Sequence, residues 1–515
     1  QSLWYGKQRS ITKGTGRLVK EPHNAKAGRS FPSQIRELAS MKVLIVHFRS
    51  APSSGLKQPQ QCRQASEIDS AGTDGVSLEM MKRKELLEAM GHQVAICSAY
   101  KWADFPIPSL EFDSEEVMRM MQNLFGPGLV DFASEAELER AFEISSLELK
   151  QELGKVITDF TPSILFVHNI LSLPVHPVAT VALTDLLRET QLPCAAIHHD
   201  ILSEGAYKFT PTCSFAKSIL DQYFPPTIPN LRHWTINSHN QKVLKKKGIE
   251  AKVIHDTMDF DQKLDAAEQA RVRVSLCRKH SIKPNDIVLF VGARIVPNKQ
   301  IELAGHLTAI LQSLRQEMVG RKLYHGEVFS EESRVVLVLA GRPERAFADY
   351  RERLFELFNA LRIVWMYVGN EVRPIRSEEE GVYALYPDMY TMADFVLYPT
   401  GWEGFGNQLL EAFAAGLPVA VFEYPVFKED IAPKDVSVVS LGDTILGERD
   451  SAGLVQLPAE VLSRAAHEMI VMLTTPKVYQ KITAYNIMVG KKYFSFDVLR
   501  THLRDAMDWA RFVGA

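Results

Sequence analysis

Short apolar runs alternate with amphipathic segments along most of the chain. Residues 41–47 are apolar and rich in branched side chains, which is typical of a strand buried on both faces of a parallel sheet. Residues 76–90 then place apolar side chains at helical spacing, and Gly91 ends that pattern before a second apolar run at 94–97. This order predicts a strand, a helix and a parallel strand near the start of the chain.

The same alternation continues in two series of predicted strands. The first series continues at 164–167, 194–197, 235–237 and 253–254, and the second has strands at 287–291, 335–339, 364–368, 395–398 and 419–422. Alternating strands and helices predict an α/β fold with two Rossmann-like, doubly wound domains that face a cleft. We interpret a helical, acidic segment at 112–150 as an insertion in the first domain.

These patterns divide the chain into four predicted parts. Residues 1–40 carry eight basic and two acidic residues without periodicity, which indicates a disordered leader, a tag or a targeting segment. The first domain is predicted at 41–258 and the second at 259–490, because the polar segment 259–285 separates the two series. A last helical segment covers 491–515.

Composition and charge narrow the classes of function. The chain has 515 residues, of which 46% are hydrophobic and 23% charged, and its net charge is −3. These values favour a globular protein of two or more domains and argue against broad binding to nucleic acid or to an anionic membrane. The five cysteines form no Cys-x-x-Cys pair. We therefore expect free thiols in a reducing, cytoplasmic compartment. No apolar run is long enough to span a bilayer, so we expect no integral membrane association.

The clearest candidate chemistry follows the predicted strand at 395–398. Ligands of doubly wound sheets bind beyond the carboxyl ends of the strands. The loop there contains Glu403, Gly404 and Gly406 and leads into a helix that carries Glu411, eight residues after Glu403. Glycines allow the backbone to approach a ligand closely, and the N–H groups of a helix start can hold an anion.

This segment resembles the E-x7-E motif of retaining glycosyltransferase family 4, whose members have the GT-B fold. The resemblance implies that Glu411 binds the ribose of a nucleotide-sugar donor and that Glu403 contacts the transferred sugar. It also implies that the second domain binds the donor and the first the acceptor, and that the C-terminal helix crosses back to the first domain. The donor-binding residues predicted around the motif are Gly404, Phe405, Gly406 and Asn407.

A second segment resembles the same family's G-R-x-x-x-x-K-G sequence. Gly292 follows the strand 287–291, and Arg294 and Lys299 take the positions that bind the donor diphosphate. Fixed cations there favour the departure of a negatively charged leaving group. Two departures from the family pattern are Ala293, inserted after Gly292, and Gln300, which stands where glycine is usual.

Three further groups are assigned by their place after first-domain strands. His199, within His198-His199-Asp200, matches the family histidine that faces the transferred sugar. Gly75, at the start of the first long helix, takes the place of the family's glycine-rich loop near the donor phosphate. The acceptor-side candidates are His168, Asn169, Asp74 and Arg49, of which Arg49 would meet an acidic acceptor.

The resemblance implies a metal-independent hexosyltransferase with no cofactor. The donor would be of the UDP-glucose or GDP-mannose type, and the acceptor a small polar sugar or polyol. Retention would follow from same-face attack, in which a departing phosphate oxygen takes the acceptor proton. The sequence leaves the oligomeric state open.

Other classes of function stay open at this point. An epimerase or a phosphorylase can share the GT-B architecture, and a non-catalytic protein that binds nucleotide sugars is a further alternative. An NAD-dependent dehydrogenase is disfavoured because no G-x-G-x-x-G follows the first predicted strand.

Overall fold

The computed structural model describes residues 40–49, 75–203, 208–262, 265–373 and 383–513. The predicted leader therefore lies outside the described residues apart from Ser40, and so does Asp74. The described chain begins with β1 (Lys42–Val46), a run of five residues of which four are buried. Such a run buries apolar side chains on both faces of a sheet, as parallel strands require.

The first sheet is parallel and, within the described residues, seven-stranded. Its further strands are β2 (Gln93–Ser98), β3 (Phe105–Pro106), β4 (Ile164–His168), β5 (Cys194–His198), β6 (Leu231–Thr235) and β7 (Ala251–Val253). Their spatial order is β3-β2-β1-β4-β5-β6-β7, so the winding reverses between β1 and β4. The strand predicted at 235–237 is wrong by four residues at its start, since β6 begins at Leu231.

Helices cover both faces of the first sheet. They are α1 (Gly75–Ala89), α2 (Glu115–Phe125), α3 (Glu135–Phe160), α4 (Pro177–Thr190), α5 (Ser214–Tyr223) and α6 (Ser238–Lys246). The prediction that residues 112–150 form an insertion is wrong, because this segment contributes to the core. It comprises α2 and most of α3, and α3 is the crossover before β4, with Phe142 and Leu153 in the core of this half.

The second sheet repeats the winding of the first. Its strands are β8 (Ile287–Val291), β9 (Val335–Leu339), β10 (Val364–Tyr367), β13 (Phe395–Tyr398), β14 (Val419–Val421) and β15 (Val439–Ser440), while β11 (Val372–Arg373) and β12 (Tyr383–Ala384) pair separately. The order β10-β9-β8-β13-β14-β15 is parallel and reverses between β8 and β13. Two doubly wound sheets confirm the predicted fold class.

Helices surround this sheet as well. They are α7 (Ala266–Lys279), α8 (Glu302–Ser313), α9 (Ala348–Ala360), α10 (Asn407–Ala414), α11 (Ala459–Leu473) and α12 (Pro476–Phe494), and they are followed by α13 (Phe496–Val513). The last helix, α13, packs on the first sheet, because Leu499 and Leu503 share a buried cluster with Val43 and Trp234. None of the helices in the described residues has the length and apolar character required to span a bilayer.

Candidate active site

The carboxyl ends of four strands bring most of the predicted residues to one region. The order of each sheet reverses between two strands, β1 and β4 in the first and β8 and β13 in the second. Open α/β sheets bind ligands beyond the carboxyl ends of strands at such a reversal. Arg49 follows β1, Asn169 follows β4, Arg294 follows β8 and Glu403 follows β13.

Lys299 and Glu403 form an ion pair between the two second-sheet loops. Lys299 Nζ lies 2.5 Å from Glu403 Oε1, and Lys299 is only 6% exposed. The loops are also joined through the backbone, since the Gly401 N–H donates to the Asn298 carbonyl at 2.9 Å. A buried charge needs a partner of opposite sign, which each of these two side chains supplies to the other.

The departure at Gln300 is accommodated by its backbone. Gln300 has a φ of 48°, in the left-handed region that glycine adopts easily. Its side chain lies over Gly401, where a Cβ would come within 2.6 Å of Gln300 Nε2. The backbone geometry expected of a glycine is therefore kept, and the glutamine side chain packs against the glycine of the neighbouring loop.

The start of α10 depends on Gly406. Its φ is 138°, and an added Cβ would lie 2.4 Å from the Tyr424 hydroxyl. That hydroxyl donates to the Phe405 carbonyl at 2.5 Å and so fixes the turn that precedes the helix. The turn leads into Asn407, the first residue of α10. The N–H groups at the start of this helix are the predicted anion site.

Two predicted donor-binding residues in this loop contact the first half of the molecule. The Gly404 carbonyl accepts a hydrogen bond from Asn237 Nδ2 at 2.7 Å. The Phe405 side chain is 2% exposed and stacks on His255 with 4.8 Å between the ring centroids. The Phe405 side chain is therefore not available to a donor, and its carbonyl is already engaged by Tyr424.

Glu411 points toward the end of β8. Its Oε2 accepts a hydrogen bond from the Tyr390 hydroxyl at 2.8 Å, and Gln408 Nε2 donates to the Gly292 carbonyl at 2.9 Å. Burial raises the pKa of Glu411 above its ordinary value, although the Tyr390 hydrogen bond and the charge of Lys82 act in the opposite direction. Tyr390 also lies beside Gly292, because a Cβ added at Gly292 would be 3.4 Å from the Tyr390 hydroxyl. The ribose contact of Glu411 stays a prediction.

Arg294 and Lys299 come from one loop but have different surroundings. The Arg294 side chain is 55% exposed and pairs with Glu344 in the loop after β9. Lys299 is buried beside Glu403. Their joint contact with a donor diphosphate stays a prediction.

Two buried histidine pairs connect neighbouring strands of the first sheet near the site. His168 Nδ1 and His199 Nε2 are 2.9 Å apart, and His198 pairs with His233 at the same distance. Burial lowers the pKa of His199 well below its ordinary value, so this imidazole is neutral. Asn169 Oδ1 accepts the His199 backbone N–H at 2.8 Å and holds that histidine in place.

Arg49 is already paired with carboxylates. Its Nε and Nη2 donate to Glu111 Oε1 at 3.1 and 2.9 Å, and Nη2 also pairs with Asp113. The guanidinium lies 4.2 Å from the centroid of the Phe112 ring. Two carboxylates on one guanidinium leave an excess of negative charge, which argues against the predicted contact between Arg49 and an acidic acceptor.

Lys82, a cation on α1 that was not predicted from the sequence, reaches the proposed donor side. Lys82 Nζ lies 2.6 Å from Glu79 Oε1, 2.5 Å from the Thr257 carbonyl and 3.3 Å from Asn407 Oδ1. Gly75 also faces Asn407, since an added Cβ would lie 3.6 Å from Asn407 Nδ2. Nothing in the helical pattern distinguishes Lys82 from a solvated lysine.

The described residues offer no evident metal site. No group of three or more His, Cys, Asp or Glu side chains among them is arranged to hold a metal ion. The two carboxylates of the motif are engaged instead by Lys299 and by Tyr390.

Comparisons with known proteins agree on one class of enzyme. Residues 382–440 match the family model described as glycosyl transferases group 1. The chain is 35% identical over 463 residues to a mannosylglucosylglycerate synthase of Thermotoga maritima, covering 89% of this chain and 98% of that protein. It is 31% identical to the mannosylglucosylglycerate synthase of Petrotoga mobilis, covering 83% of this chain and 97% of that protein.

Solved structures support the fold at much lower identity. A glycosyltransferase from Rickettsia africae matches with a TM-score of 0.53 and 12% identity, covering 92% of this chain and 99% of that one. A sucrose-phosphate synthase from Thermosynechococcus elongatus matches with a TM-score of 0.54 and 13% identity, covering 92% and 100%. The two-sheet architecture is therefore that of the GT-B glycosyltransferases.

Proposed function

The chain belongs to the glycosyltransferase family of the mannosylglucosylglycerate synthases, and from this membership we propose that it transfers a mannosyl group from a nucleotide-linked donor to glucosylglycerate. The similarity to two enzymes of that name over nearly their whole length carries this proposal. The Lys299–Glu403 pair and the Tyr390-bound Glu411 supply the polar groups that such a transfer uses.

The proposed substrates narrow the two donor types that the sequence predicted. A mannosyl product favours a GDP-mannose type of donor over UDP-glucose. Glucosylglycerate is a small polar acceptor, as predicted, and its glycerate unit carries a carboxylate. A reducing, cytoplasmic setting stays part of the proposal, on the evidence of widely spaced free cysteines.

In the proposed mechanism the donor lies across the start of α10. The bond between the sugar anomeric carbon and the diphosphate oxygen breaks, and the acceptor hydroxyl oxygen forms its bond to the same carbon on the same face. The hydroxyl proton passes to the departing phosphate oxygen, so the products are the nucleoside diphosphate and the glycoside with retained configuration. Arg294 and Lys299 offset the charge that develops on the leaving diphosphate.

Three other side chains position the donor in this proposal. Glu411 accepts hydrogen bonds from the ribose hydroxyls, and Glu403 accepts one from the transferred sugar. His199, held neutral by burial, exchanges a hydrogen bond with a sugar hydroxyl through Nδ1, because His168 engages its Nε2. No described residue is seen to hydrogen-bond to His199 Nδ1.

The purified chain tests the proposal directly. Incubation with GDP-mannose and glucosylglycerate should give one new glycoside, and the NMR coupling at its anomeric carbon should show the configuration of the donor. Release of nucleotide without acceptor, a change of the donor sugar alone, or a requirement for inorganic phosphate would each indicate another reaction. Binding of GDP with no turnover on a panel of donors and acceptors would favour the non-catalytic alternative.

The two motif glutamates should separate binding from turnover. Glu411→Ala is expected to weaken GDP binding about tenfold, because a hydrogen bond to a charged group contributes roughly 1.5 kcal/mol or more. Glu403→Ala should leave GDP binding within about twofold but abolish measurable transfer, since its contact is to the sugar. Calorimetry with GDP checks both variants, and Glu356→Ala on exposed α9 is the control. Equal losses of GDP affinity in the two motif variants would contradict this division of roles.

Transfer should not depend on a divalent cation. Arg294 and Lys299 are proposed to offset the diphosphate charge, so the initial rate in excess EDTA should stay within about twofold of the rate without it. The assay compares EDTA-treated enzyme with enzyme supplied with Mg²⁺ or Mn²⁺. Loss of activity in EDTA with recovery on adding either ion would show that a metal takes that role.

A further inference from the structure

Lys82 connects the two halves of the molecule beside the start of α10. It projects from α1, a helix that packs on the first sheet. Its ammonium lies 2.5 Å from the Thr257 carbonyl and 3.3 Å from Oδ1 of Asn407, the first residue of α10. The Lys82 side chain is 17% exposed, so its charge is largely shielded from water. A first-domain cation therefore lies at the anion site predicted in the second domain.

The carboxylate that contacts Lys82 is shared with a second cation. Glu79 Oε1 lies 2.6 Å from Lys82 Nζ, and Glu79 Oε2 lies 2.8 Å from Arg83 Nη1. Among the described residues no other carboxylate forms an ion pair with either cation. One carboxylate between two cations leaves Lys82 incompletely neutralised, so an anion beside it would be attracted.

Buried donors beside Lys82 have hydrogen-bonding capacity that the described residues do not use. Arg83 Nε and Nη2 and Thr257 Oγ1 have no described partner, and neither residue is more than 1% exposed. Asp256 Oδ1 lacks a described partner as well. Burial and the charge of Glu79 raise the pKa of Asp256, although the two cations act in the opposite direction. Its neutral form, which burial favours, carries an O–H donor, so this cluster suits an anionic ligand.

The start of α10 adds a further positive contribution. No side chain of the described residues caps this helix, which follows Gly406. The N–H groups at an uncapped helix start carry partial positive charge, so a lysine beside them is unfavourable unless an anion lies there too. Lys82 and the start of α10 would therefore be stabilised by the same anion.

The charge of Lys82 also reaches two residues that are proposed to contact the donor. Burial raises the pKa of Glu411, the proposed ribose contact, and Lys82 is among the groups that lower it. Burial lowers the pKa of His199, the proposed sugar contact, and Lys82 lowers it further. His199 meets the motif loop, because a Cβ added at Gly404 would be 3.6 Å from the His199 carbonyl. In a nucleotide sugar the diphosphate links the ribose to the sugar, so a cation near both contacts lies where the diphosphate would run.

We propose that Lys82 binds the donor diphosphate, as a cation that the first domain supplies to a site whose other cations come from the second. This inference rests on the proposed function, because it takes the ligand to be a nucleotide sugar. Lys82 Nζ would exchange its contact with Asn407 Oδ1 for a phosphate oxygen and keep its contacts with Glu79 and Thr257. Since the product nucleoside diphosphate offers the same oxygens, Lys82 should contribute to binding as well as to turnover.

Two substitutions separate the charge of Lys82 from its packing. Lys82→Gln keeps an N–H donor for the Thr257 carbonyl but removes the charge, and it should weaken GDP binding about tenfold in calorimetry. Lys82→Arg keeps the charge and should stay within about threefold of the wild type. Lys84→Gln, on the same helix and paired with Glu88, is the matched control and should bind GDP as the wild type does.

Kinetics show whether the loss is confined to the donor. Lys82→Gln should raise the KM for GDP-mannose about tenfold and leave the KM for glucosylglycerate within about twofold, whereas a general disturbance of the cleft would raise both. Arg83 still pairs with Glu79 in this variant, so no buried carboxylate loses its last partner. If Lys82→Gln does not fold, acetylation of wild-type Lys82 relative to Lys84, measured by peptide mass spectrometry, decides: protection by GDP supports the inference, and unchanged acetylation overturns it.

The outcomes separate this inference from the proposed function. GDP binding that is weakened in Lys82→Gln and restored in Lys82→Arg supports the inference even if the wild type transfers to no acceptor, in which case the proposed function alone fails. Transfer to glucosylglycerate with an unchanged donor KM in Lys82→Gln would overturn the inference alone, and so would a loss of GDP binding that Lys82→Arg does not restore. A wild type that binds neither GDP nor UDP would overturn both.

Discussion

Replacing Lys299 with alanine is expected to lower kcat by about 10² to 10³-fold while changing the donor KM by less than about threefold. Negative charge builds on the diphosphate as the glycosidic bond breaks, so a fixed ammonium stabilises the transition state more than the bound donor. Lys299 is 6% exposed, and a charge shielded from water interacts more strongly with a charge that develops nearby. Steady-state kinetics with the identified donor measures the effect.

The ion pair with Glu403 requires a second variant in the same experiment. Lys299→Ala also leaves the Glu403 carboxylate, 2.5 Å from the lost ammonium, without its partner. If the variant were inactive only for that reason, the double variant Lys299→Ala/Glu403→Gln would be as active as Glu403→Gln alone. A leaving-group role predicts that the double variant is less active than Glu403→Gln. Lys322→Ala, at an exposed site, is the control, and a folded Lys299→Ala enzyme with near-normal kcat would rule out the role.

Three strands of the second sheet were predictable because they are uniformly apolar. The bounds of β8, β9 and β13 agree with the prediction, and every residue in these strands is buried. Uniform burial turns a strand into an uninterrupted apolar run, which a sequence displays directly. The motif residues then follow at the carboxyl ends, where the doubly wound order requires a site.

One strand of the first sheet, β6, was predicted with the wrong start because it contains buried polar side chains. In β6, His233 and Thr235 are buried although their residue types are polar, and His233 pairs with His198 on β5. In a sequence pattern a buried histidine cannot be distinguished from an exposed one, so the predicted strand began four residues after the start of β6. No periodicity marks a hydrogen bond between neighbouring strands, and only the assembled sheet reveals it.

The residues near the site that were not predicted differ in how far the sequence pattern could have identified them. Arg342 and Arg345 line one cleft with Arg294 and directly follow β9, a predicted strand, so the rule that identified Arg294 applies equally to them. The position of Lys82 at the site could not be predicted from the sequence, because it contacts Thr257 and Asn407, which are distant along the chain. Glu79 and Arg83 were not predictable either, because charged side chains on a helix are usually exposed to solvent.

Removing the Glu79 carboxylate is expected to destabilise the fold by about 3 to 5 kcal/mol, because the buried Arg83 guanidinium would lose the one carboxylate that it contacts among the described residues. Glu79 Oε2 lies 2.8 Å from Arg83 Nη1, and both side chains are 0% exposed. Arg83 Nε and Nη2 already have no hydrogen-bond partner among the described residues. Glu79→Gln should therefore lower the midpoint of chemical unfolding markedly, since domains are stable by only about 5 to 15 kcal/mol.

A control variant and a double variant separate the contribution of the Glu79–Arg83 ion pair to stability from other effects of substitution in α1. Glu85→Gln lies on the exposed face of the same helix and should change stability by less than about 0.5 kcal/mol. Replacing both partners, as Glu79→Met/Arg83→Met, removes the uncompensated charge and should recover most of the loss. Glu79→Gln with wild-type stability would contradict the prediction. So would a double variant less stable than Glu79→Gln, because the cost would then come from packing in α1 and not from a buried charge.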